Sequence, residues 1–93
     1  MAQRYTVLIQ REDSDRYHAT ASTTDARVVR FRWRGNLKAL HTLVDDLYYV
    51  PGVPSLTQYQ RVMASLSKHS QYSSPATFDE DALRQAEFLE IEH

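Results

Sequence analysis

The sequence predicts an α+β domain in which a three-stranded antiparallel meander is followed by two to three helices packed on one sheet face. Alternating apolar and polar residues fill the first third of the chain, and apolar residues three or four apart fill most of the rest. Size supplies the third observation. The 93 residues fit one small domain, 1–93, with a modest core.

The sheet is expected over 1–34. Tyr5, Val7 and Ile9 alternate with Thr6, Leu8 and Gln10 in a first strand. The run Arg11 to Asp15 is polar and rich in turn formers, so it turns a hairpin. Tyr17, Ala19 and Ala21 then alternate with His18, Thr20 and Ser22, and two small inward alanines let a helix approach closely. Thr23 to Ala26 makes the next turn. The third strand is Arg-Val-Val-Arg-Phe-Arg-Trp-Arg, residues 27–34. Its parity sends Arg30, Arg32 and Arg34 to one face and Val29, Phe31 and Trp33 to the other.

Two helices are expected over 36–67. Asn36 is the N-cap of the first, with a stripe of Leu37, Leu40, Leu43, Val44, Leu47 and Tyr48. Pro51-Gly52 stops it in a type II turn, where glycine takes positive φ. Ser55 and Gln58 form a capping box for the second, with Leu56, Tyr59, Val62, Met63 and Leu66 as its stripe. Residues 68–77 read as a surface loop. Thr77 and Glu80 then cap an acidic C-terminal helix, 78–92, with Leu83, Ala86 and Leu89 along it and Phe78 and Phe88 pinning it. A further strand within 69–77 or at the C-terminus is the alternative.

Composition excludes several function classes. Without cysteine there is no disulfide, thiol nucleophile or cysteine-ligated zinc. Two glycines cannot make a glycine-rich cofactor loop, and no hydrolase elbow or His-Glu-x-x-His motif occurs. The expectation is a non-enzyme with no cofactor. His41 and Asp45 share a helix face, but no third ligand follows, so they read as an ion pair and no metal is expected. The acids Asp79, Glu80 and Asp81 suit a helix start without any cation. The longest early apolar run, Val7-Leu8-Ile9, is too short for a signal-peptide core or a membrane span, which makes cytoplasmic residence the default expectation.

Charge is unevenly spread. Residues 1–77 balance to +4 and residues 78–93 to −5, within a net charge of −1. Segment 27–38 holds five cations and no acid. The acidic end either stands apart from the basic strand or meets it in the fold and neutralises it.

The candidate binding residues are Arg30, Arg32 and Arg34, with Arg27 and Lys38 near them and His18 on the neighbouring strand. A guanidinium donates two parallel hydrogen bonds to a carboxylate or a phosphate. The competing explanation is that the arginines guard an exposed edge strand against aggregation. Tyr49, beside the Pro-Gly turn, is an exposed aromatic suited to an interface, or else a cap on the core. The reading is a small non-catalytic module, an adaptor, inhibitor or antitoxin-like accessory protein, docking an acidic protein through its basic sheet face. Its size is that of many phage or mobile-element accessory proteins. The alternative is a nucleic-acid-binding regulator using the same arginines. Single-strand binders place aromatics beside their cations, whereas Phe31 and Trp33 are assigned here to the opposite face. Homodimerisation through the edge of the third strand also fits so small a core.

Overall fold

The computed structural model describes residues 3–48, Gly52 and 55–91. Its elements run β1 (Tyr5–Asp13), β2 (Arg16–Thr23), β3 (Val29–Gly35), α1 (Leu37–Tyr48), α2 (Ser55–His69), β4 (Gln71–Phe78), α3 (Glu80–Gln85) and β5 (Leu89–Glu90). The five strands form one antiparallel sheet in the order β4-β1-β2-β3-β5. The meander is therefore present as its centre, flanked on both sides by strands from later in the chain.

One sheet face carries the core. Tyr5, Val7 and Ile9 of β1, Tyr17, Ala19 and Ala21 of β2 and Phe31 and Trp33 of β3 are buried together with Leu40, Leu43, Val44 and Leu47 of α1, Val62 and Leu66 of α2, and Leu83 of α3. Tyr5 and Phe31 meet edge to face, with centroids 5.3 Å apart. Gly35 lets α1 leave the sheet at close range. A Cβ there would stand 2.7 Å from the Ala39 Cβ and 2.8 Å from the Trp33 ring. Asn36 caps α1 as its side chain predicts, its Oδ1 accepting from the Ala39 N–H at 2.9 Å. Gly52 takes φ +86°, as the turn requires.

Segment 68–77 is not a loop. α2 continues to His69, and β4 pairs with the free side of β1, matching Ile9 with Tyr72, Thr6 with Thr77 and Tyr5 with Phe78. Pro75 falls in a register shift opposite the Thr6–Leu8 stretch, so an outermost strand accommodates it. Pairing with an uncovered strand overrides weak local β-propensity here.

The acidic end is not one helix over 78–92 either. Phe78 closes β4, and Asp79, not Thr77, is the N-cap of α3, accepting from the Ala82 N–H at 2.8 Å. α3 ends after six residues in a Schellman arrangement: Glu87 donates to the Arg84 carbonyl, Phe88 to the Leu83 carbonyl, and Glu87 takes φ +66°. The chain then runs beside β3, pairing Glu90 with Phe31 and Leu89 with Arg32. Leu89 consequently stands 75% exposed rather than in a helical stripe.

Three further apolar residues leave their expected places. The β2–β3 register shifts near Ala21 and Ser22, leaving Arg30 as the extra residue and setting Val29 opposite Ser22. Val29 is 37% exposed and lines the solvent face with Thr6, Thr20 and Ser22 instead of joining Phe31 and Trp33. Leu37 and Leu56 sit in the first turns of their helices, beyond the sheet's cover, and are exposed.

A cationic sheet face as candidate functional site

The side-chain parity of β3 is what positions the candidate site. Phe31 is 1% and Trp33 6% exposed, so both rings are held in the core. Alternation then drives Arg32 and Arg34 to the solvent side, where they stand opposite Thr20 and His18. Arg30, at the bulge, is exposed as well. With the described helical core residues gathered on the other face, this one remains open and half-polar, as antiparallel sheets allow.

Around the arginines the face is rich in hydrogen-bonding side chains. At one end a depression is lined by hydroxyls of Thr6, Thr20, Ser22, Thr24 and Ser73, with Arg27 on its rim. Arg27 is held there by a turn in which its N–H donates to the Thr23 carbonyl and its φ is +53°. At the other end His18 is half-buried. Its Nε2 lies 2.8 Å from Gln10 Oε1, and its Nδ1 lies 2.9 Å from Glu12 Oε1, close enough for an ion pair on protonation but not aligned as a hydrogen bond.

The structure divides the seven candidate residues. Arg32, Arg34 and His18 share the open face, Arg27 lies at one end of it, and Arg30, at the bulge, is exposed. Lys38 lies on α1 and lines a separate groove with Asp15, Asn36, Leu37, His41, Thr42 and Tyr59. Tyr49 lies outside the described residues, as do Val50, Pro51, Val53, Pro54 and the side chain of Ser55 that would complete a capping box. His41 does pair with Asp45, Nδ1 to Oδ2 at 3.4 Å, and its ring lies 4.6 Å from that of Tyr59 at a tilt of 55°. Among the described residues no three metal-ligating side chains cluster.

Two residues gain importance that their sequence context did not signal. Leu89, an acidic-segment leucine, faces solvent opposite Arg32. Arg84 belongs to α3, where it bonds Glu80 and Glu90 and lies over the Phe31 ring at 5.5 Å. The Glu80 bond foremost, then Glu90, raises its pKa further above the usual guanidinium value. The acidic end therefore does meet β3, and two of its carboxylates, those of Glu80 and Glu90, bond Arg84. Among the described residues none forms an ion pair with Arg27, Arg30, Arg32 or Arg34.

No protein-family model, curated protein or solved structure matches the chain. Among the described residues no helix is long and apolar enough to cross a membrane.

Proposed function

We propose that the protein is a non-catalytic binding module that docks an acidic protein surface through the open face of its sheet. Arg30, Arg32 and Arg34 supply the charge, Arg27 extends it, and His18, Thr20 and Ser22 supply hydrogen bonds. One observation carries the reading: these guanidinium groups stand together on a solvated face without carboxylate partners among the described residues, whereas Arg84 nearby has two. A protein partner is favoured over nucleic acid because Phe31 and Trp33 are buried on the core side, which leaves among the described residues no exposed aromatic ring beside the arginines for a base to stack on.

Fluorescence anisotropy with two labelled probes, a polyglutamate peptide and a single-stranded oligonucleotide, separates the classes. The proposal expects saturable binding of polyglutamate at low salt that is lost when Arg30, Arg32 and Arg34 all become Gln. Tight oligonucleotide binding, with log affinity falling by about 0.7–0.9 per phosphate neutralised as log salt rises, would move the function to nucleic acid. No binding to either probe at low salt would remove the reading altogether.

A further inference from the structure

The side of β3 that faces away from β2 is covered by very little chain. β3 has seven residues, and β5 pairs with only two of them, Phe31 and Arg32. Ile91 adds one bond, its N–H donating to the Arg30 carbonyl at 2.8 Å. That bond fixes which backbone groups look outward. In an antiparallel ladder they alternate between the two neighbours, so Arg30, Arg32 and Arg34 present their N–H and C=O groups to the β5 side. β5 serves the first two and does not reach Arg34. Where it stops, a groove of about 350 Å³ opens between Arg32, Trp33, Arg34 and the Glu87 to Ile91 segment.

The sheet's other edge is built differently. β4 spans eight residues, five of them paired with β1, and it carries Pro75 and shifts register midway, which discourages a further strand. A short, weakly anchored cover therefore lies only on the arginine side. That cover also shows what fits. It is an extended segment in which apolar Leu89 and Ile91 flank Glu90, and its leucine contributes little burial, being the most exposed large apolar residue described.

We infer that the outer edge of β3 is a strand-docking site, and that its occupant is an extended acidic segment of another protein which takes the place of β5. Such a segment gains backbone bonds to Arg30, Arg32 and Arg34, including the one β5 leaves unmade. Carboxylates at the positions where β5 carries Leu89 and Ile91, opposite Arg32 and Arg30, would meet the guanidinium groups that no described residue pairs. A second copy of β3 is disfavoured in the same position, because it would set arginine rows side by side. The inference rests on the acidic-partner reading above and specifies how that partner binds: by adding a strand, not merely by lying across the face.

The test uses the full chain and a synthetic hexapeptide, Glu-Phe-Glu-Leu-Glu-Leu, whose glutamates fall at the positions that the β5 register sets opposite Arg34, Arg32 and Arg30. Amide shifts and hydrogen exchange are followed by NMR in wild type and in Ile91→Pro, which removes the N–H that holds β5 to Arg30. Arg84→Gln, which frees Glu90, is the second variant should Ile91→Pro disturb the fold. Strand addition predicts that saturating peptide slows exchange of the Arg34 amide by at least about tenfold, and that affinity rises several-fold in either variant. The charge-reversed peptide Lys-Phe-Lys-Leu-Lys-Leu should not bind. If peptide shifts His18, Thr20 and Ser22 but leaves Arg34 exchange unchanged, docking is to the face alone and strand addition is overturned while the acidic-partner reading survives. If neither the peptide nor polyglutamate binds, both are overturned.

Discussion

The two sides of β3 are made by alternate residues of one seven-residue strand, yet they answer to different constraints. On the core side Phe31 and Trp33 are shut away from water, and their packing with Tyr5 and with Gly35 leaves no spare volume. On the solvent side Arg32 and Arg34 touch little that the fold needs, and their charge is unspent within the described residues. Arg84 sharpens the contrast. It is equally cationic but spends its charge on two carboxylates and lies over Phe31. One side of the strand stabilises, and the other is available for recognition.

This contrast can be attacked most forcefully at its core side. Phe31→Ala should cost about 3–5 kcal/mol in urea unfolding, since a fully buried ring is lost and the sheet cannot collapse over the gap. A cost near that of a surface substitution would mean the ring is not packed as described. Gly35→Ala should cost about 1–3 kcal/mol, because the new methyl meets Ala39 and the Trp33 ring, and both would have to shift. An unchanged midpoint would show slack at the α1 junction.

Alkaline pH probes the core from a different direction. The Tyr48 hydroxyl is buried, and burial, only partly opposed by the neighbouring Ser74 hydroxyl, pushes its pKa up to about 12. The unfolded chain ionises first, near the ordinary value of 10. The folded state therefore keeps its advantage below that pH and loses it as pH rises from 10 towards 12, by an amount on the order of 1–3 kcal/mol. Tyr48→Phe should flatten the loss over that window. A smaller effect belongs to the cap that aims α1 onto the core: Asn36→Ala should cost about 1 kcal/mol. Smallest of all on stability is replacement of Arg32 or Arg34 by Gln, within about 0.5 kcal/mol as for other surface substitutions.

How much of this was legible in the sequence depends on the kind of signal. The central strands and α1 announced themselves by periodicity, and the inward rings of β3 with Arg32 and Arg34 opposite them followed from parity alone. What escaped detection lay at boundaries. Four described residues take positive φ, but only Gly52 is a glycine; Arg27, Ser70 and Glu87 fill the others. The ends of α2 and α3 therefore carried no glycine to mark them, and β4 and the short α3 merged into a loop and an overlong helix. Pro75 reinforced the error, because whether proline can sit in a strand depends on that strand being outermost, which is a property of the whole sheet. Val29 was misassigned for a related reason: a bulge reverses parity, and nothing in two adjacent valines reveals one.

The same limit shaped the site. Which arginines share a face was readable, whereas Lys38 was grouped with them by proximity in sequence although the fold gives it to another groove. Whether the acidic end would cancel the basic strand depended on where α3 stopped. It stops so that β5 lies against β3 with Glu90 turned to Arg84, which leaves the arginine face uncompensated among the described residues.

The claim that matters most is that this face exists for binding and not for folding. The direct measurement is one variant, Arg30→Gln with Arg32→Gln and Arg34→Gln, assayed side by side for urea midpoint and for polyglutamate affinity. The account predicts a midpoint close to wild type and an affinity reduced beyond detection. A variant that unfolds early yet still binds polyglutamate as wild type does would contradict it.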